Sequence, residues 1–236
     1  MKYAIETFGC KVNQYDSAVI EAAMCEAGHT PCEDISEADI VLGTAARSEL
    51  PKMIDAYLKD HVCADMPALP SEFEEYAPGD PGRNGGKTRA FIKIEEGCDR
   101  YCSYCAIPFA RGRVRSRSIE SIEREAAECA VQGHKELVLV GINLSRYGSD
   151  IGCDLADAVK AASLPEGIKR VRLSSLEPEL LDTAMIKKLA VCEKLCPHFH
   201  LSLQSGCDET LKRMNRRYTT EEYYNIILAL REAFPG

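Results

Sequence analysis

The chain has 236 residues, 45% of them apolar, and a net charge of −8. That is enough for one large domain or two modest ones, each with a buried core. The longest apolar runs, Leu137–Val140 and Ile226–Leu230, fall far short of the about 20 residues that a membrane-spanning helix needs. Met1–Glu6 reads as the start of a strand and not as a signal peptide, so a cytoplasmic protein with no membrane partner is expected.

Lys2–Thr7 alternates and predicts a strand. Asn13–Ala27 has helical periodicity and stops at Gly28, a good helix terminator. Ala38–Gly43 predicts a short strand and Glu49–Asp60 a helix, giving a small βαβα domain over residues 1–65. Residues 66–87 are rich in proline, glycine and acid and read as a linker. Charge supports a boundary there: residues 1–85 carry 6 basic and 16 acidic side chains, the remainder 23 and 21. A polyanionic partner would therefore meet the second part.

Residues 88–236 alternate strands with helices. Strands are predicted at Arg89–Glu95, Glu136–Val140, Lys169–Ser174 and His198–Leu203, and helices at Ile119–Gln132, Leu155–Ser163, Glu179–Leu189 and Thr220–Ala233. This order argues for an α/β fold with a parallel sheet, either doubly wound or part of a barrel. In the last strand His198, His200, Ser202 and Gln204 share one face and Phe199, Leu201 and Leu203 the other. The polar face fits a ligand-filled lumen and fits a solvated surface equally well.

Twelve cysteines are many for such a chain. Without a secretory context they point to metal or redox chemistry and not to disulfides. Cys25, Cys129 and Cys192 sit in apolar helical settings and read as small core residues. Cys98, Cys102 and Cys105 differ: their C-x-x-x-C-x-x-C spacing follows a strand directly. A [4Fe–4S] cluster takes four cysteines, so a triplet leaves one iron open to a ligand. Spacing alone also leaves room for zinc, which would need a fourth ligand from elsewhere, and for a chance triplet.

The triplet, with Tyr104 as the aromatic before its last cysteine, resembles that of the radical S-adenosylmethionine enzymes. Neighbouring segments narrow the likeness: Gly9-Cys10-Lys11-Val12-Asn13-Gln14, Arg111-Gly112 with Arg115-Ser116-Arg117, Ser174-Ser175-Leu176-Glu177-Pro178, His200 to Gly206 and Met214 to Tyr218 resemble the methylthiotransferases. Within them the likeness is greatest to the branch acting on N6-threonylcarbamoyladenosine beside the tRNA anticodon. The resemblance implies a [4Fe–4S] cluster on Cys98, Cys102 and Cys105 that binds S-adenosylmethionine and cleaves it to a 5′-deoxyadenosyl radical. It implies cofactor contacts at Tyr104, Gly141, Asn143, Ser174, Glu177 and Gln204. It further implies a second, sulfur-supplying cluster with Cys10 as a ligand, a tRNA anticodon-loop partner and an electron donor of the flavodoxin type. For the fold it implies a partial, four-unit radical βα barrel over residues 88–236.

The chain departs from that pattern. The Asn-Thr-Cys and later Gly-Cys segments that would complete the second cluster are absent, so one cluster is expected and the second site is expected to be broken. A middle portion of the N-terminal domain, the last two barrel units and a C-terminal tRNA-binding domain are expected to be missing. Arg111, Arg113, Arg115 and Arg117 alternate, which would place them on one side of an extended segment, suited to RNA phosphates or to the cofactor carboxylate. A solvated, salt-bridged segment is the plainer reading. Lys212, Arg213, Arg216 and Arg217 form a second basic group at a helix boundary. The functional expectation is a tRNA methylthiotransferase, whole or partial. The alternatives are a single-cluster radical enzyme of other specificity and a non-catalytic iron–sulfur or RNA-binding remnant.

Overall fold

The structure is a computed structural model, and it describes residues 2–3, 11–31, 50–60, 70–74 and 88–235. In the N-terminal part β1 (Lys2–Tyr3) is followed by α1 (Lys11–Glu26), β2 (Thr30–Pro31) and α2 (Leu50–Asp60), with β1 and β2 parallel. Helix α1 ends before Gly28, whose φ of +80° suits the left-handed turn that stops a helix. The strand expected at Ala38–Gly43 and most of the expected linker lie outside the described residues.

The second part runs β3 (Arg89–Lys93), β4 (Glu95–Glu96), α3 (Ile107–Arg111), β5 (Arg115–Ser116), α4 (Ile119–Val131), β6 (Glu136–Val140), α5 (Leu155–Ser163), β7 (Arg170–Leu173), β8 (Ser175–Leu176), α6 (Thr183–Ala190), β9 (His200–Leu201), α7 (Asp208–Arg213) and α8 (Thr220–Ala233). Strands β3, β6 and β7 form a parallel sheet in chain order. A bridge from Val171 to Leu195 and the parallel pair β8–β9 carry that order on to a fourth strand segment. The expected mixed α/β architecture with parallel strands is present, and no closed barrel forms among the described residues.

Sequence chemistry explains the layering. Ala90, Ile92 and Ile94 point to one face of the sheet, where they join Leu137, Leu139 and the apolar sides of α4 and α5. Phe91, Val138 and Val140 point to the other, against Val12 and Tyr15 of α1. Strand β6 is thus covered on both faces, which its unbroken apolar run requires. Helix α5 starts with a capping box on Asp154, and α8 with one on Thr219 and Glu222.

Three expected elements differ in extent. The strand expected at Arg89–Glu95 bends at Ile94, because Glu95 and Glu96 leave the parallel sheet to pair antiparallel with Ser116 and Arg115. The helix expected at Glu179–Leu189 begins at Thr183, because Pro178–Leu180 forms a 3₁₀ turn and Asp182 caps the Met185 N–H at 2.7 Å. The strand expected at His198–Leu203 pairs only at His200 and Leu201. His200 is exposed and bonded to Ser175 (3.2 Å), while Leu201 is buried in the core.

Candidate functional site

The ladder between β4 and β5 closes residues 97–114 into a loop at the carboxyl end of β3. Gly97 opens it at φ +84°, and a Cβ there would lie on the Arg113 carbonyl oxygen. The Cys98 N–H donates to the Gly112 carbonyl at 2.9 Å, tying the two ends together. Tyr101 sits at φ +50°, a conformation costly for a non-glycine residue. The segment after α7 holds it there. Asn215 Nδ2 donates to the Tyr101 carbonyl (2.8 Å), the Ser103 N–H to the Met214 carbonyl (3.1 Å) and Ser103 Oγ to the Arg213 carbonyl (3.0 Å).

Cys98, Cys102 and Cys105 are free, half-buried and lie on one cavity of about 160 Å³. Its polar lining comes from the ends of successive strands: Asn143 after β6, Glu177 after β8 and Gln204 after β9, with Arg100 and Arg216 completing it. The carboxyl ends of parallel strands are where α/β folds place ligands. Two side chains donate toward sulfur: Asn143 Nδ2 to Cys98 Sγ at 3.6 Å and Arg216 Nη1 to Cys102 Sγ at 3.2 Å. Burial pushes the Cys98 thiol up, opposed by hydrogen bonds from the Arg100 backbone and from Asn143. Arg216 also pairs with Glu177, and Arg100 with Glu179.

No three metal-ligating side chains among the described residues lie close enough to hold a single metal ion, so the three cysteines on this cavity fit a cluster better than one zinc ion. Three thiols spread around a cavity suit a cluster, in which each binds its own iron. Of the cavity's lining, Asn143 Oδ1, Arg100 Nε and Arg216 Nε are buried without a hydrogen-bond partner, a costly arrangement unless a ligand supplies one.

The expected site residues separate into groups. Tyr104, Asn143, Glu177 and Gln204 line the cavity with the three cysteines. Gly141 does not: it lies beneath, where a Cβ would meet Glu95 Oε2 at 2.7 Å, so its smallness serves Glu95. Ser174 stands at the break between β7 and β8 and bonds the Leu139 carbonyl through its N–H (3.0 Å). Cys10 lies outside the described residues. The four arginines do not share a side. Arg111 faces Glu96 (2.7 Å) and Asn13 (2.6 Å), and Arg115 is buried against the Arg111 and Arg113 carbonyls. Arg117 is buried in an ion pair with Glu125, which leaves Arg113 as the exposed one of the four. Pairing of β5 with β4 overrides the simple alternation. Sequence reasoning missed Arg100, Arg216 and Glu95 as parts of the site. Arg216 lay within the Met214-to-Tyr218 segment, and nothing local marked it as reaching Cys102.

The family profile of the radical SAM superfamily matches residues 92–236, and the chain belongs to that superfamily. Membership implies use of an iron–sulfur cluster and S-adenosylmethionine. Residues 2–46 match a second family, described as the uncharacterized protein family UPF0004. Among curated relatives, the chain is 32% identical to the threonylcarbamoyladenosine tRNA methylthiotransferase MtaB of Thermotoga maritima, over 98% of this chain and 64% of that protein. It is 30% identical to the tRNA-2-methylthio-N(6)-dimethylallyladenosine synthase of Syntrophomonas wolfei, over 100% and 66%. The Thermotoga match runs over 281 aligned positions against 236 residues, so the relative holds positions within the matched span that this chain lacks. The chain spans between about half and two thirds of the length of the curated relatives it matches. Among solved structures, the apo cobalamin-dependent S-adenosylmethionine radical enzyme OxsB superposes with a TM-score of 0.64 at 12% identity, over 98% of this chain and 39% of that one, a likeness of fold.

Proposed function

We propose that the chain is the cofactor-cleaving part of a tRNA methylthiotransferase, acting at C2 of N6-threonylcarbamoyladenosine next to the anticodon. The observation that carries this is the convergence of Cys98, Cys102 and Cys105 with Asn143, Glu177, Gln204 and Arg216 on one cavity. A cluster bound there supplies the electron that splits S-adenosylmethionine reductively.

The chain's own residues supply the setting. The three thiols hold the cluster. Asn143 and Arg216 donate toward two of the sulfurs, which stabilises the reduced charge state. The guanidinium groups of Arg100 and Arg216 suit a carboxylate, and the oxygens of Asn143, Glu177 and Gln204 suit an ammonium group. Together they match the amino-acid end of S-adenosylmethionine. The half-buried wall, with Ile107 and Ile142, limits water at the reacting centre. The tRNA substrate rests on the relatives, whose names specify methylthiolation of tRNA, and on the more basic second part of the chain. The electron donor is proposed to be a small flavodoxin-type protein.

A second reading is a radical enzyme with this one cluster and another substrate. It is favoured by the absence of the two further N-terminal cysteine motifs. Anaerobic reconstitution followed by iron, sulfide and 5′-deoxyadenosine measurement tests the proposal. The intact chain forms 5′-deoxyadenosine and Cys102→Ala does not; equal formation in both removes the triplet from the chemistry. Mass analysis of tRNA digested after reaction with added sulfide, which stands in for the second cluster as sulfur source, then separates the two readings, since the second predicts no methylthioadenosine at any enzyme concentration.

A further inference from the structure

We propose that Tyr101 and Phe109, exposed on the loop that carries the three cysteines, form a stacking platform for an unpaired base of a single-stranded RNA loop; this rests on the tRNA reading above and assigns the residues that receive the RNA. Phe109 is 75% exposed and Tyr101 48%, and their rings meet edge to face with centroids 5.8 Å apart. Tyr104, which lines the cavity itself, is 53% exposed on the same loop. A group of large aromatic side chains held in water on a cavity-lining loop marks an interaction surface.

The loop is built to present these rings. Tyr101 is kept at positive φ by Asn215, which is itself at φ +57°. Phe109 lies on α3, whose buried residue is Pro108, so its ring is turned outward.

Charge identifies the occupant. Asp99 is matched by Arg146 (3.1 Å), Glu177 by Arg216 and Glu179 by Arg100, while Asp208 and Glu209, exposed in the first turn of α7, take part in no ion pair among the described residues. The exposed cations on the segments that clamp the loop are Arg113, Lys212, Arg213 and Arg217. None of these four takes part in an ion pair among the described residues. On these segments four exposed cations outnumber the two exposed acids of α7, and exposed rings with such a positive balance fit bases and phosphates of unpaired RNA. An apolar protein partner would use the rings but leave these cations unmatched.

The test is fluorescence anisotropy of the anaerobically reconstituted full chain with a labelled RNA hairpin whose loop holds unpaired adenines. Phe109→Ala and Tyr101→Ala are expected to raise Kd by about 5- to 150-fold, the equivalent of about 1–3 kcal/mol for one stacked base. Phe109→Tyr keeps a ring and retains binding within about 2-fold. Tyr224→Ala, an exposed aromatic on α8, leaves Kd unchanged. A fully paired RNA of equal length binds more weakly and does not distinguish Phe109→Ala from wild type. If the hairpin binds and Phe109→Ala and Tyr101→Ala match wild type, the platform is refuted while the RNA reading stands. If no RNA binds the intact chain, both fall. Displacement of the hairpin by polyglutamate as readily as by unlabelled hairpin would also overturn the platform, because it would show a surface that reads charge alone.

Discussion

Glu95 accepts the backbone N–H of Asn143 at 2.6 Å, across 48 residues of sequence, and so fixes the residue that donates to Cys98. Glu95 is fully buried, and Gly141 leaves the room it occupies. It is therefore a positioning residue for the cavity wall and does not line the cavity. Glu95→Gln keeps the shape and one acceptor oxygen. Glu95→Ala leaves the Asn143 N–H unsatisfied, at a cost of about 1–3 kcal/mol. Urea denaturation of the metal-free chain should show that loss for Ala and much less for Gln. Iron bound after reconstitution should fall in Glu95→Ala and hold in Glu95→Gln.

The same carboxyl gives a pH dependence. Burial raises its pKa from 4.5 to about 8, against hydrogen bonds from the Asn143 and Ile142 backbone that lower it. Between those values the native state holds a proton that the unfolded state has released. Stability therefore falls as pH rises through this window, by at most about 1.4 kcal/mol per pH unit. Burial also raises Glu125, despite Arg117, and acts in the same direction. The contrast with Glu95→Gln thus isolates Glu95: between pH 6 and 8 the urea midpoint of wild type should drop more than that of the variant. Parallel midpoints would show that Glu95 is ionised throughout.

Gly97 and Gly133 separate two reasons for glycine. Both have positive φ, +84° and +92°, but a Cβ at Gly133 meets nothing within 4 Å while one at Gly97 lies on the Arg113 carbonyl. Gly133→Ala should cost only the left-handed penalty of about 1–2 kcal/mol and leave iron binding intact. Gly97→Ala must also push the returning end of the loop, at Gly112 and Arg113, away from its start. It should bind little iron after reconstitution even at temperatures where the chain stays folded by circular dichroism. Full iron in Gly97→Ala would mean that the loop closes in another way.

Helix α5 and strand β6 were legible to the residue, because their signals are local. Asp154 caps α5, and an unbroken apolar run marks a strand covered on both faces. Cys98, Asn143, Glu177 and Gln204 were also reachable, since each follows a strand that periodicity reveals. What failed depends on distant pairing. The alternation of Arg111 to Arg117 said nothing of β4, which draws Arg115 and Ser116 into a ladder and turns the chain. The contact of Arg216 with Cys102 joins residues 114 apart, and no period or spacing encodes it. Helix α7 was missed because six residues carry too little periodicity to read.

Lys93 shows the same limit at the junction of the two parts. It is 1% exposed on the face of β3 that meets α1, where its ammonium pairs with Asp16 of α1 and with Glu96 at 3.0 Å. The rings of Tyr15 and Phe73 lie 5.8 Å away on either count. Arg111 extends the network to Glu96, to Asp16 (3.6 Å) and to Asn13, so α1 is fastened to the base of the cysteine loop through charge. Removing one member of a buried ion pair costs about 3–5 kcal/mol, whereas replacing both with apolar groups of similar volume costs far less. Lys93→Met should therefore destabilise the chain by that amount, and Lys93→Met with Asp16→Leu should recover part of it. A double-mutant cycle by urea denaturation reads the coupling. Limited proteolysis adds the location: cleavage within α1 should speed up in Lys93→Met before the sheet of β3, β6 and β7 unfolds. Strict additivity of the two substitutions, with α1 equally protected, would mean that apolar packing of Val12 and Tyr15 holds α1 in place without the charges.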